Sequence, residues 1–253
     1  MIFGACTTAP SELTLLKEYG YSCFESNFQR IKKMTDEELD ELRCAVEKTG
    51  IMMAGMNCFA PTDVRILRWS EQEAVEYFES GIKRARPLGL RYLVIGSGKA
   101  RTIPEEMSRE EGVKRWVSLL RRFGDIAEQY DIDVYVEPLR HYETNMINTV
   151  SEAAELCKAV DHPRIGCMAD FYHMHMVEEP FCNIQNAGKL LRHIHVSTAD
   201  RRVPLHSDRE ELLAMIAALK ECGYDGRVVL EGEAKPNSET AFREFSEQFD
   251  LFR

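Results

Sequence analysis

Short β-like runs alternate with amphipathic helical segments along the whole chain, and this alternation is the feature that most restricts its fold. The strand candidates lie at 2–6, 21–25, 51–57, 91–96, 132–137, 164–169, 192–197 and 227–231. The helical segments lie near 11–19, 35–49, 70–88, 105–130, 149–160, 180–190, 207–222 and 238–251. Strict alternation indicates a parallel sheet, because each parallel strand needs a long crossover connection to the next.

Eight strand–helix units in 253 residues match the usual size of a closed (β/α)8 barrel. The chain has no linker rich in Pro, Gly or Ser. We therefore predict an α/β protein with a single barrel domain over residues 1–253. An open doubly wound sheet is the alternative, but the first strand is not followed by the G-x-G-x-x-G turn of the dinucleotide-binding sheets.

Four acidic or imidazole side chains stand at the ends of hydrophobic runs in the second half of the chain. They are Glu137, Asp170, His195 and Glu231. In a parallel barrel, strands 5 to 8 are neighbours and their carboxyl ends meet at one mouth. Three carboxylates and one imidazole suit a single divalent ion such as Mn²⁺, Mg²⁺ or Co²⁺, with Zn²⁺ as a further option. The alternative is that these acids only cap the helices that follow; four successive strand ends of this kind favour the metal site.

Three more polar side chains follow the predicted ligands in the adjoining loops. His173 comes after Asp170, Arg201 after His195, and Glu143 after Glu137. An arginine and a histidine beside a metal can hold substrate hydroxyls or a carbonyl oxygen and stabilise a developing enolate. We expect these residues to form the substrate side of the site.

Composition excludes several other classes of function. The chain has 32 Lys plus Arg against 42 Asp plus Glu, a net charge of −10, which disfavours binding to nucleic acid. Its eight cysteines include no C-x-x-C pair, which favours reduced thiols and a cytoplasmic protein. No apolar run reaches membrane-spanning length, and the strand at the amino terminus leaves no room for a signal peptide. We expect no membrane partner, and a homodimer is compatible with the sequence.

Four segments carry a resemblance to a known family. They are Glu137-Pro138-Leu139 with Glu143-Thr144, Asp170-Phe171-Tyr172-His173, His193-Ile194-His195 with Arg201, and Tyr224-Asp225-Gly226 with Glu231. These segments resemble the xylose isomerase-like TIM barrel family, in particular its sugar and sugar phosphate isomerases and epimerases, which include the ketose 3-epimerases. The resemblance spans most of the chain.

The resemblance implies a function and a role for each site residue. Glu137, Asp170, His195 and Glu231 would bind the metal, and Glu137 and Glu231 would also face each other as catalytic acid and base. His173, Arg201 and Glu143 would bind the carbonyl end of a carbohydrate or polyol substrate. The chemistry is reasonable in itself, because a metal that binds a ketone and the adjacent hydroxyl acidifies the C–H bond and holds a cis-enediolate.

One departure from the family pattern concerns the loop after Arg201. The ketose epimerases usually carry Pro-Gly-x-Gly there, whereas this chain has Val203-Pro204-Leu205-His206. His206 could be an additional catalytic or metal-binding group, although a loop position is the favoured interpretation. The alternative to an isomerase is a lyase that uses the same metal site to dehydrate a keto-sugar or inosose, or to eliminate from a keto-glycoside. His206 would be a natural acid for the departing group.

Two further alternatives share the barrel. A repair enzyme resembling endonuclease IV would need histidines from the early strands, and no histidine occurs before His141. A sugar sensor that has lost its activity would not require two opposed glutamates. Both interpretations are therefore disfavoured.

Overall fold

The computed structural model of the protein describes residues 1–253. Its centre is a closed barrel of eight parallel strands that pair in sequence order, with the last strand hydrogen-bonded to the first. The strands are β1 (Ile2–Cys6), β2 (Cys23–Asn27), β3 (Met52–Asn57), β4 (Tyr92–Ile95), β5 (Asp133–Val136), β6 (Ile165–Asp170), β7 (Leu191–Val196) and β8 (Arg227–Leu230).

Eleven α-helices surround the barrel or lie in its connections. They are α1 (Glu12–Glu18), α2 (Phe28–Lys33), α3 (Asp36–Thr49), α4 (Glu71–Ala85), α5 (Gly98–Arg101), α6 (Arg109–Gln129), α7 (Val150–Val160), α8 (Phe171–Met176), α9 (Cys182–Ala187), α10 (Arg209–Glu221) and α11 (Ser238–Ser246). Short 3₁₀ turns lie in the connections between several of these elements.

The predicted barrel is confirmed, and each predicted strand lies within two residues of an observed one. The short helices α2, α5 and α8 were not predicted. Each is six residues or fewer and follows a strand at the carboxyl end of the barrel. Segments of this length carry too little periodicity to be distinguished from loops.

Local sequence signals set the ends of several helices. Thr35 and Ser70 form complete capping boxes with Glu38 and Glu73, so α3 and α4 begin where the sequence predicts. Gly50 ends α3 with φ of 74°, a left-handed conformation in which glycine carries no steric cost. These signals set where α3 and α4 begin and where α3 ends.

Two apolar regions hold the fold together. The larger contains 66 buried residues, most of them between the barrel and the surrounding helices. The smaller comprises Cys23, Ala54, Tyr92, Val94, Tyr135 and Met168. Its members belong to β2 to β6, so it forms part of the packing of the barrel itself. In a barrel of this size, side chains fill the interior and leave the chemistry to the carboxyl-end mouth.

No helix of the structure combines the length and the apolar character that crossing a bilayer would require.

Candidate active site

The four predicted ligands meet at the carboxyl-end mouth of the barrel. Asp170 is the last residue of β6 and His195 the last but one of β7, and Glu137 and Glu231 directly follow β5 and β8. One ligand atom from each lies within 4.8 Å of the others. His195 Nδ1 lies 3.7 Å from Glu137 Oε1 and 3.4 Å from Glu231 Oε2. The cluster is almost closed to solvent, with Asp170 and His195 fully buried.

Asp170 combines two roles that the sequence left as alternatives. Its Oδ1 accepts hydrogen bonds from the backbone N–H groups of Tyr172 (2.8 Å) and His173 (3.4 Å) and so caps α8. Its Oδ2 remains turned towards the cluster, 3.4 Å from Arg201 Nη1. Helix capping therefore orients this carboxylate and does not remove it from the site.

The two glutamates have different surroundings. Glu231 accepts hydrogen bonds from Asn57 Nδ2 (2.9 Å) on Oε1 and from Arg201 Nη2 (2.6 Å) on Oε2. Glu137 Oε1 is buried and has no hydrogen-bond partner. Burial raises the pKa of Glu137. Burial acts in the same direction on Glu231, but the positive charges of His195 and Arg201 outweigh it and lower the pKa of Glu231 to about 2.

Arg201 and His173 lie directly beside the cluster of predicted ligands. Arg201 reaches between Asp170 and Glu231 and stacks on the Tyr172 ring, 4.6 Å from its centroid. His173 Nδ1 accepts a hydrogen bond from the backbone N–H of Arg140 (3.3 Å), which leaves Nε2 facing Arg201 Nη1 at 3.2 Å. The structure thus brings two of the three predicted substrate-binding residues, Arg201 and His173, next to the predicted metal ligands.

Arg201 also has an unusual backbone. Its φ is 61°, in the left-handed region that residues other than glycine rarely adopt. The surrounding loop holds it there, because Arg201 N–H donates to Thr198 O (2.9 Å) and Arg201 O accepts from Glu233 N–H (2.8 Å). A residue kept in a costly conformation by its neighbours is typical of functional sites.

Glu143 lies at the edge of the same cleft. A cavity of about 240 Å³ is lined in part by Glu137, Glu143, His173, Arg201 and Glu231. The Glu143 carboxylate accepts a hydrogen bond from Arg140 Nε (2.8 Å) and remains partly exposed. It is therefore the most peripheral of the three predicted substrate-binding side chains.

His206 does not lie in the site. It begins a 3₁₀ turn before α10, and its half-exposed ring faces the last helix, with Nε2 3.2 Å from Glu247 Oε2 and Nδ1 3.8 Å from Glu244 Oε2. The interpretation of His206 as a further ligand or catalytic group is not supported by this position. The favoured interpretation as a loop residue agrees with this position, because the imidazole contacts Glu244 of α11 and Glu247 directly after it.

The glycine-rich segment after β4, residues 96–101, contains the short helix α5 and borders the cleft. Arg101 is fully buried, and its guanidinium donates to the carbonyl oxygens of Ile95 and Ile147 at 3.1 Å each. Lys99 lines the cleft. Gly96 is required by the site itself, since a β-carbon there would lie 2.0 Å from Glu137 Oε2.

Two residues of the site were not identified from the sequence. Asn57, at the end of β3, donates to Glu231. Glu25, on β2, is fully buried, with Oε2 3.0 Å from His195 Nε2. From the sequence, strand 2 was predicted to end at residue 25. The strand continues to Asn27, so Glu25 points into the barrel.

The residues present fit a divalent metal ion. Glu137 Oε1 and His195 Nδ1 are both buried without a hydrogen-bond partner, and they point at the same place as Asp170 Oδ2 and Glu231 Oε2. Buried polar atoms without partners are costly, and coordination to a cation satisfies them. Three carboxylates with one imidazole form a donor set suited to Mn²⁺, Mg²⁺ or Co²⁺.

Comparison with known proteins places this geometry in a family. Residues 13–249 match the family model described as xylose isomerase-like TIM barrel. The chain is 27% identical over 225 residues to a D-psicose 3-epimerase of Ruminiclostridium cellulolyticum, a match that covers 84% of this chain and 74% of the relative. It is 25% identical over 231 residues to a 3-dehydro-D-guloside 4-epimerase of Escherichia coli, covering 87% of this chain and 85% of the relative.

Solved structures show the same fold. A crystal structure of a D-psicose 3-epimerase in the presence of D-fructose superposes with a TM-score of 0.84 at 19% identity, covering 100% of this chain and 99% of that one. The family match covers nearly the whole chain, and the named relatives are epimerases. The chain belongs to the xylose isomerase-like TIM barrel family and groups with its sugar epimerases and isomerases.

Proposed function

We propose that this isomerase inverts a carbon next to the ketone of a sugar or polyol, using Glu137 and Glu231 as the proton-transferring pair and one divalent metal ion. The names of its relatives support the chemistry. A psicose 3-epimerase, a 3-dehydro-guloside 4-epimerase and an inosose isomerase all act on carbonyl sugars or polyols. In the two epimerases the inverted carbon adjoins the carbonyl carbon.

The observation that carries the proposal is the approach of Glu137 and Glu231 to one point from different sides of the mouth. Glu137 follows β5 and Glu231 follows β8, and β6 and β7 lie between these strands. Both carboxylates nevertheless come within 3.7 Å of His195 Nδ1. Inversion at carbon requires removal of a proton from one face and its return on the other, and two such carboxylates can serve as base and acid.

The proton balance of the reaction is simple. The ionised carboxylate on one face takes the proton next to the ketone, and the electron pair of the broken C–H bond forms an enediolate. The carboxyl group on the opposite face then donates its proton to the same carbon. The reaction needs no external oxidant or reductant. A bound divalent ion would supply positive charge that lowers the free energy of the negatively charged oxygen atoms.

The polar side chains around the cluster have complementary roles in this proposal. Arg201 and His173 would hold the carbonyl end of the substrate, since their side chains line the cleft beside the glutamates. Glu143 would accept a hydrogen bond from a substrate hydroxyl at the rim. Fixed donors beside developing negative charge stabilise it more than water does, because they need no reorganisation during the reaction.

No observation favours the lyase alternative. A β-elimination needs an acid that protonates the departing group, and His206 was the residue suggested for that purpose. Its ring contacts Glu247, directly after α11, instead of facing the cleft.

Hydrogen exchange in D₂O tests the proposal. We would incubate the Mn²⁺-loaded protein with a panel of ketohexoses, keto-glycosides and inososes and follow the substrate by NMR. We expect deuterium to enter the substrate at the carbon next to the ketone, and we expect the epimer of the substrate at that carbon to form. The Glu137→Gln and Glu231→Gln variants should lose epimerisation, and their metal content would be measured to separate catalysis from metal binding.

The matched control is Glu247→Gln, which removes a carboxylate directly after α11 and outside the mouth. It should exchange and epimerise like the unmodified protein. Absence of exchange with every ketone tested, in protein shown to contain metal, would refute the proposed function.

A further inference from the structure

Glu25 forms a buried contact network next to the cluster of Glu137, Asp170, His195 and Glu231. Its Oε2 lies 3.0 Å from His195 Nε2, and its Oε1 lies 2.7 Å from His193 Nε2. Tyr92 donates its hydroxyl to Glu25 Oε1 at 2.7 Å. All four side chains of the network are fully buried. A buried carboxylate is costly unless it is paired, and here both of its oxygens have partners from β4 and β7.

Two local features of the barrel accommodate this network. The pairing of β2 with β3 shifts register at Glu25, so that Phe24 lies opposite Met53 and Glu25 opposite Gly55. Such shifts change the direction of a side chain and are frequent near active sites. Gly55 also leaves room for Tyr92, because a β-carbon at residue 55 would lie 2.3 Å from the Tyr92 ring. A larger residue there would displace the hydroxyl that Glu25 accepts.

We propose that Glu25 is a positioning residue for the metal centre: it accepts the Nε2–H of His195 and thereby keeps the Nδ1 lone pair directed at the metal. The inference rests on the metal centre of the proposed function. A neutral imidazole carries one proton, so a hydrogen bond from Nε2 to a carboxylate selects the tautomer in which Nδ1 is free to coordinate. The geometry agrees, since Nδ1 faces Glu137 and Glu231 while Nε2 faces Glu25.

A second metal site is the competing interpretation of the same residues. Atoms of Cys6, Glu25 and His195 lie within 4.8 Å of one another. However, Cys6 Sγ accepts a hydrogen bond from Asn57 Nδ2 at 3.2 Å, and both Glu25 oxygens already contact donors. His195 cannot offer Nε2 as a ligand while that nitrogen donates to Glu25. The contacts therefore favour a supporting role for Glu25.

Metal affinity provides the first test. We would titrate Mn²⁺ into the metal-free protein and measure free Mn²⁺ by electron paramagnetic resonance. Loss of such a supporting carboxylate typically weakens metal binding by about 10- to 100-fold, and we expect this range for Glu25→Gln. Glu25→Asp keeps the charge on a shorter side chain, and its Mn²⁺ affinity should lie between those of the unmodified protein and Glu25→Gln. Tyr92→Phe is the matched control, because it removes one donor to Glu25 without altering the contact to His195; we expect less than about a threefold change by the same measure.

A second measurement keeps the inference testable if Glu25→Gln does not fold. Long-range ¹H–¹⁵N NMR of the unmodified protein with Zn²⁺ should show His195 protonated on Nε2 and coordinated through Nδ1. The His195 signals would be assigned from a His195→Gln variant. Coordination through Nε2, or folded Glu25→Gln with unchanged Mn²⁺ affinity, would overturn the inference.

The two proposals fail in different ways. If the unmodified protein binds no divalent ion, the proposed function fails and Glu25 has no metal centre to support. If the unmodified protein binds Mn²⁺ and Glu25→Gln binds it equally well, only the role of Glu25 is wrong.

Discussion

Gly96 lies so close beneath Glu137 that a β-carbon on residue 96 would stand 2.0 Å from Glu137 Oε2. Gly96 directly follows β4, and Glu137 directly follows the neighbouring β5. The backbone at the end of β4 thus packs directly against the side chain of Glu137 at the end of β5. The absence of a side chain at residue 96 is part of the geometry of the site.

We expect Gly96→Ala to lower activity strongly while the protein stays folded. The added methyl group must push the Glu137 carboxylate away by roughly an ångström, and a misplacement of that size can cost about 100-fold in rate. Because the carboxylate is the far end of a flexible side chain, the barrel itself need not move. Epimerisation rate and Mn²⁺ affinity would be measured together with thermal unfolding.

A second glycine provides the matched control for Gly96. Gly112 on α6 faces Ile103, and a β-carbon there would lie 2.7 Å from Ile103 Cγ1. Gly112→Ala should change the unfolding temperature and leave the turnover of the folded protein unaltered. Full activity of Gly96→Ala would show that Glu137 does not need its present position.

Arg201 and Arg202 are adjacent in sequence but have different contacts. Arg201 contacts Asp170 and Glu231 in the site, whereas Arg202 forms two 2.7 Å hydrogen bonds with Asp208 in the loop. Lysine cannot reproduce the planar guanidinium between two carboxylates. We expect Arg201→Lys to lower kcat/KM by about 100-fold or more, in the range found when one stabilising donor is removed.

Arg202→Lys serves as the comparison for Arg201→Lys, with steady-state kinetics and thermal unfolding measured for both. We expect Arg202→Lys to affect stability more than turnover. Equal kinetic losses in the two variants would mean that loop order, and not the Arg201 guanidinium, supports catalysis.

His173 and His206 form a second contrasting pair. His173 is 2% exposed and faces Arg201, whereas the His206 ring is half-exposed and faces α11. We expect His173→Ala to lower kcat/KM by about 10- to 1,000-fold through loss of a substrate contact. His206→Ala should retain activity within about twofold, because the half-exposed ring lies outside the cleft and surface contacts of this kind contribute little. A marked loss of turnover in His206→Ala would bring back the idea of His206 as a catalytic acid.

Removal of divalent metal should abolish activity and lower thermal stability. Chelation leaves Glu137 Oε1 and His195 Nδ1 buried without partners, and readdition of Mn²⁺, Co²⁺ or Mg²⁺ should restore both properties. An ion present at 100 times its dissociation constant stabilises the folded state by about 2.7 kcal/mol. Differential scanning calorimetry and activity would be measured on protein whose metal content is known from elemental analysis. Undiminished turnover in metal-free protein would contradict this prediction.

Much of the fold could be predicted from local patterns. The strands are short apolar runs, and several intervening helices carry their own start and stop signals, such as the capping box of Thr35 and Glu38 and the glycine stop at Gly50. The same reasoning placed the four ligands, because a residue at the end of a parallel strand must lie at the mouth. Neighbouring strands then bring such residues together without further information.

The network around Glu25 could not be predicted in this way. Strand 2 was predicted to end at residue 25, and only the pairing with β3, including its register shift, shows that Glu25 lies inside the barrel. Arg101 is a similar case. In the sequence it is a cation in a glycine-rich loop, whereas in the structure it is buried against carbonyl groups of Ile95 and Ile147.

By itself, the sequence determined the barrel, the order of its elements and the strand ends that carry Glu137, Asp170, His195 and Glu231, because these depend on periodicity and capping within short stretches of chain. Tertiary structure alone decided that Glu25 contacts His195 and that His206 turns away to Glu247. The physical reason is that such contacts join side chains far apart in sequence. Their distances depend on strand register, barrel closure and helix packing, which no local pattern encodes.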